Sequence, residues 1–220
     1  MMRRADRSRR RAAVRTGTIC LAGATLGAVA RSKSLRWGAT DDELHIVLPG
    51  DEIISRADLT ATRAVTVSAI AGDVWPWIAQ IGQGRGGFYS YDRLENVVGC
   101  DIHSADRIVA AWQPVAVGDE VNLHPEVALT VTLVQPGHAL VLHGGVPLGR
   151  TPPPYDFTWA FVLHTHADGT TRLVVRERYA YERRWARLVV EPAELVSFIM
   201  SQRMLRGIKE RAERAARATT

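Results

Sequence analysis

Between Phe88 and Trp112 the chain gathers side chains that chemistry uses. Phe88, Tyr89, Tyr91 and Trp112 supply aromatic surface, while Glu95, Asn96, His103 and Asp106 supply titratable and hydrogen-bonding groups. A pocket for an amphipathic small molecule needs aromatic walls and a few oriented polar groups, and this segment carries both. His103 and Asp106 are three residues apart, so a carboxylate could orient the imidazole as a base for proton abstraction, with Glu95 as a further acid or base. The competing reading has Asp106 capping a helix and His103 exposed.

Other patterns carry less. Gly82, Gly84 and Gly87 match G-x-G-x-x-G, but a dinucleotide loop follows a strand and opens a helix, whereas here a helical pattern precedes and "FYSY" follows. The glycines are read instead as a sharp connection with positive φ. His164 and His166 share one side of a strand without a third ligand at recognisable spacing, so no metal is predicted. No G-x-S-x-G elbow is present, and no cofactor is predicted. In "VVRERYAY" one parity, Arg176 and Arg178, or the other, Val175, Glu177 and Tyr179, must face the interior. Inward arginines would imply an acidic ligand group, and outward ones an ordinary salt-bridged surface. Trp77 on a short helix and Trp159, flanked by Phe157 and Phe161, either line a cavity or fill a core.

These residues must be positioned by a strand, two short helices, a run of strands and a long helix. "TRAVTVS" (62–68) alternates as a half-buried strand. In "AGDVWPWIAQIG" the residues Val74, Trp77, Ile78 and Ile81 mark a helix face, with Asp73 as cap and Pro76 in the first turn. In "SYDRLENVVG" Asp92 and Glu95 have capping-box spacing, and Tyr91, Leu94 and Val98 share a face. Five strands follow without intervening helices, which predicts an antiparallel sheet. From Pro192 to about Ala215 one amphipathic helix carries a stripe of Leu195, Phe198, Ile199, Leu205 and Ile208, which must dock on the sheet; Arg203, Arg206, Lys209, Arg211 and Arg214 form its solvated face.

Charge is unevenly placed. The net charge is +5, yet ten of the 28 Lys/Arg and only one of the 23 Asp/Glu fall in residues 1–36, which leaves the remainder negative. Nucleic acid is therefore not an expected partner. Seven arginines in the first 15 residues, a charge-free run Thr16–Ala30 and Ala28-Val29-Ala30 have the order of a secretory signal or N-terminal anchor, which predicts export or membrane association through residues 1–35. Cys20 would leave with such a signal, and Cys100 is read as a small core residue. The expected layout is a signal-like or anchor segment 1–35, an extended lead-in 36–60 with a turn at Pro49-Gly50-Asp51, a ligand-binding domain 61–215 and a tail 216–220.

"RWGATDDE", "LPGDEI", "TRAVTV", "VWPWIAQIGQGRGGFYSYDRLEN", "DIHSADRI", "FTWAFVL" and "RGIKERAE", spread over residues 36–214, resemble the SRPBCC superfamily, also called START-like or Bet v 1-like, with its polyketide cyclase/dehydrase relatives. More closely they resemble an actinobacterial group within it that carries no assigned activity. The resemblance implies an α+β helix-grip fold: an antiparallel β-sheet wrapped around a long C-terminal α-helix, with two short helices after the first strand. It also implies a cavity for an apolar small molecule. The leading expectation is a binding or carrier domain for a hydrophobic or amphipathic, lipid- or polyketide-like molecule, with Trp77, Phe88, Tyr89, Tyr91, Asn96, Trp112, Trp159 and Arg176 as contacts. The alternatives are a cyclase or dehydratase-like enzyme using His103, Asp106 or Glu95, and a protein-contact domain with a filled core. The lack of a recognisable catalytic constellation favours binding over catalysis.

Overall fold

Alternating apolar residues punctuated by glycine and proline turns build six antiparallel strands: β1 Leu59–Val67, β2 Glu120–His124, β3 Val127–Gln135, β4 Ala139–Gly144, β5 Tyr155–Thr165 and β6 Thr171–Tyr181. They form one sheet in the order β1-β6-β5-β4-β3-β2. The C-terminal helix crosses back to pack on β1. Irregular register between Asn122 and His124 and between Val131 and Leu133 marks bulges, which bend and twist the β2–β3–β4 end of the sheet.

The computed structural model describes residue 27 and residues 29–97, 99–147 and 151–219. The chain divides into two compact units, Met1–Leu35 and Arg36–Thr220. In the first, residues 29–35 are helical. The arginine-rich start, Cys20 and most of the apolar run Thr16–Ala30 lie outside the described residues, as does part of the proline-rich break 147–154. Among the described residues no helix is long and apolar enough to cross a membrane.

In the second unit the helices are α1 Asp41–His45, α2 Ala71–Ala79, α3 Asp92–Val97 and α4 Arg187–Thr219, with a short 3-10 turn at Ala110–Trp112. This is the helix-grip α+β arrangement: a six-stranded antiparallel sheet, two short helices after β1, and a long helix laid across one face. Several local expectations change. Helix α2 begins at Ala71, so Asp73 is not its cap and Pro76 sits in the second turn. The donor Pro76 lacks would have bonded Gly72. Helix α4 begins five residues before Pro192, emerging from a turn closed by Ala186 N–H on the Arg183 carbonyl at 2.8 Å.

The phase of α4 is the larger correction. Met204, Leu205, Ile208 and Ala212 are buried, and one turn at a time toward the N-terminus this face continues through Ser201, Ser197 and Glu194. Leu195 and Ile199, expected inward, are 58% and 45% exposed. Rigid helical geometry carries the phase set by the tightly docked second half into the first half, where it turns polar residues inward. Arg211, expected in solvent, lies over the Tyr89 ring at 4.9 Å and donates to Ala105 O at 2.8 Å.

The opposite face of the sheet is also covered. Leu48 packs on Ala64, Ala139, Val162 and Val174. The lead-in is not simply extended: α1 is closed by a capping box in which Glu43 N–H donates to Thr40 Oγ1 and Thr40 N–H to Glu43 Oε2. The turn at Pro49-Gly50-Asp51 forms as expected, with Gly50 at φ 91° and Leu48 N–H on Asp51 Oδ2 at 2.9 Å.

Candidate functional site

Between the inner face of the sheet and the first half of α4 lies a cavity of about 280 Å³. Strand parity fixes one wall. Phe157 and Trp159 of β5 stand opposite Tyr179 and Glu177 of β6, and all four point inward. Tyr155, Phe88 and Ile102 extend the wall; Ser197, Met200, Ser201 and Met204 of α4 form the roof. The aromatic rings touch in sequence: Phe88 to Trp159 at 6.0 Å, Phe157 to Tyr179 at 4.6 Å and Tyr155 to Tyr179 at 5.7 Å between centroids.

One polar group is built into this apolar surface. The Glu177 carboxylate is buried and accepts from Arg63 Nη1 at 2.9 Å, Ser201 Oγ at 3.0 Å, Tyr179 Oη at 3.0 Å and Ser197 Oγ at 2.9 and 3.1 Å. Arg63, on β1, also bonds Glu194 and lies 5.6 Å from the Phe198 ring centre. A buried carboxylate is tolerated when its lone pairs are filled by a cation and hydroxyls, and that condition is met here. The hydroxyl of Tyr179 is held protonated, its pKa pushed well up by burial and then by the adjacent Glu177 charge.

A second carboxyl, Glu95 of α3, also lines the cavity. Burial, reinforced by the charge of Asp92, pushes its pKa up to about 7. Its Oε2 is buried without a hydrogen-bond partner. Glu95 does not form the expected capping box with Asp92. Asp92 instead accepts from the backbone N–H and the hydroxyl of Ser104, at 2.7 and 2.6 Å, which ties α3 to the following loop. Tyr91 and Leu94, read as an inward face, are 45% and 52% exposed. Helix α3 thus presents its carboxyl inward and its apolar residues outward.

Of the residues expected as ligand contacts or as acid/base groups, Phe88, Trp159 and Glu95 meet in the cavity. The others lie elsewhere. Trp77 and Tyr89 are core: their rings meet edge to face at 5.8 Å, and the Tyr89 hydroxyl donates to Trp77 O at 3.0 Å. Tyr91 borders a separate surface groove. The amide of Asn96 clamps the backbone of Ile102, and Trp112 accepts from Arg85 through its carbonyl. His103 and Asp106 do not converge with Glu95. Both are largely exposed, His103 beside Asp101 at 3.1 Å and Asp106 paired with Arg211 at 3.0 Å. Arg176 is buried, but on the outer face, where it bonds Asp51, Thr62 Oγ1 and the carbonyls of Ile46 and Glu43. It therefore does not line the cavity and is not a solvated surface charge.

Cys100 is half-buried and borders the cavity instead of the core; burial, then Glu95, raises its thiol pKa. His164 packs against His138 at 6.2 Å, and His166 faces the turn near Thr170. Among the described residues no three His, Cys, Asp or Glu side chains come together as a metal site. The residues missed by sequence reasoning are Arg63, Ser197 and Ser201, while Glu177 and Tyr179 were named only as one of two possible inward parities. For Arg63 the available signal was a charged residue in the middle of a half-buried strand.

No family model and no curated protein matches the chain. Among solved structures, it is similar to the Zhui aromatase/cyclase from Streptomyces sp. R1128 at 17% identity, covering 73% of this chain and 97% of that one, with a TM-score of 0.41. Protein MLL2253 from Mesorhizobium loti is 15% identical over 71% of this chain and 98% of its own, with a TM-score of 0.43. DynU16, from the dynemicin biosynthetic locus, is 17% identical over 68% of this chain and 46% of its own, with a TM-score of 0.38. The helix-grip assignment itself rests on the strand order and the C-terminal helix.

Proposed function

We propose that this chain is a binding or carrier domain of the SRPBCC kind, holding one hydrophobic or amphipathic small molecule between the sheet and α4. The observation that carries this reading is the cavity, walled by Phe88, Phe157, Trp159, Met200 and Met204 and interrupted by the Glu177 cluster. Ligand pockets are mostly apolar with a few fixed polar groups, and their volumes run from ~300 to 1,000 Å³. A cavity of about 280 Å³ lies at the small end. It suits a single acyl chain or a compact ring system better than a two-chain lipid. A protein-contact domain with a filled core is disfavoured by the same space.

Native mass spectrometry of the full chain, followed by solvent extraction, tests the proposal. The expected result is a stoichiometric apolar adduct that is lost when Met200→Trp fills the cavity. An apo mass that persists after exposure to acyl and polyketide-like mixtures would refute it.

Catalysis is the second reading, favoured by one observation: Glu95 borders the cavity and titrates near neutral pH, where a carboxyl can both give and take a proton. In this reading Glu95→Gln keeps the extracted molecule bound but abolishes its conversion. His103 and Asp106 have no part in it. Export or membrane association through residues 1–35 belongs to the same proposal, supported by the basic–apolar–small order of that segment. Fractionation of cells expressing the chain with and without residues 1–35 tests it, and an unchanged distribution would refute it.

A further inference from the structure

Among the described residues, the sixteen around the cavity include five aromatics, Phe88, Tyr155, Phe157, Trp159 and Tyr179, and two carboxylates, Glu95 and Glu177, but no lysine, arginine or histidine. We infer that the cavity selects apolar molecules carrying a cationic amine over those carrying a carboxylate. This rests on the binding function proposed above and names the chemistry of the ligand's polar end.

Three features carry the inference. Aromatic faces are the negative side of the ring quadrupole and attract a cation within about 6 Å, most strongly where water is excluded. Here all five rings belong to contacting groups, Phe88 with Trp159, and Tyr155 and Phe157 with Tyr179. The oxygens of Glu177 are already occupied by Arg63, Ser197, Ser201 and Tyr179, so this carboxylate acts on a ligand through its field more than through a free lone pair. Glu95 differs, because its Oε2 is buried with no donor. An unmet buried acceptor is costly, and an ammonium N–H from a ligand would fill it with a charge-assisted bond.

A carboxylate ligand meets the opposite situation. It would enter a low-dielectric space bordered by two acids. The guanidinium of Arg63 stands behind Glu177, held between that residue and Glu194. An uncharged alcohol falls between the two cases, since it can donate one hydrogen bond to Glu95 but brings no charge.

A matched series of decylamine, decan-1-ol and decanoate, each kept below its micelle concentration, is the test. Binding to the full chain is measured by titration calorimetry at pH 7.5. The expected order is decylamine tighter than decanol by about tenfold, with decanoate weakest. Glu95→Gln should narrow the amine-to-alcohol ratio by weakening decylamine more than decanol. Met200→Trp should weaken all three, which separates cavity binding from adsorption to an acidic surface. Equal affinities for the three would overturn the selection and leave the binding function standing, as would a ratio untouched by Glu95→Gln or a preference for decanoate. If none of the three binds in a Met200-sensitive way, the binding function falls and the inference falls with it.

Discussion

Glu95 holds its proton more tightly in the folded protein than in the unfolded chain, and this has a defined sign. Its pKa rises from an ordinary 4.5 to about 7 because burial and Asp92 penalise the charged form, against a smaller opposing hydrogen bond from Ser90; Cys100 is the other titratable neighbour. The folded state therefore binds more protons than the unfolded state across that interval, and stability falls as pH rises through it. Above about pH 8 the loss is complete and the dependence levels off. Glu95→Gln cannot titrate, so its urea midpoint should gain on the wild type between about pH 5 and 8 and then run parallel. Curves that stay parallel throughout would show that Glu95 is solvated in the folded protein. The same residue shows what sequence reading reaches at this scale. Glu95 was legible as a titratable group in an aromatic segment, and its direction was not, because α3 turns its apolar side to solvent.

Helices and strands were unequally legible. Strand positions follow from period-two alternation between turn signals, and β5 and β6 meet in the register their tight turn implies. The parity of Arg176-Glu177-Arg178 was correctly reduced to two choices, but local sequence could not choose between them. The choice depends on β1, where Arg63 meets Glu177, more than a hundred residues earlier. The phase of α4 was misread for a related reason, since hydropathy alone prefers Leu195 and Ile199 inside. The docking of the second half decides, and one contact there is especially close. A Cβ at Gly207 would fall 2.1 Å from the Tyr89 carbonyl oxygen. Gly207→Ala must push α4 away from that loop, against the gain in helix propensity that alanine normally brings. The expected cost is about 1–3 kcal/mol by chemical denaturation. A stabilised variant would mean that loop and helix have room to separate.

At the scale of the whole second unit, the sheet is enclosed on both faces, by α4 inside and by residues 36–58 outside. A row of arginines on the outward parity of β6 holds the lead-in: Arg172 bonds Glu43 at 2.7 Å, Arg176 bonds Asp51 at 2.5 Å and Arg178 bonds Ile54 O at 2.8 Å. Removing one partner of a buried charged pair costs about 3–5 kcal/mol, because the remaining charge is left without compensation. Arg176→Met should therefore lose stability on that order in urea and expose the lead-in to limited proteolysis before the sheet unfolds. Loss of stability with an intact, protected lead-in would assign Arg176 to the sheet alone.

The lead-in is gripped largely through its main chain. Arg172, Arg176 and Arg178 reach the carbonyls of Gly38, Glu43, Ile46, Ile54 and Ser55, and few of its side chains besides Glu43, Leu48 and Asp51 take part. A carbonyl is the same whatever residue carries it. Residues such as Ile46, Val47 and Ser55 are thus free to drift in identity while the path of the strap is preserved, and the mutational burden of keeping it in place falls on three arginines of a distant strand.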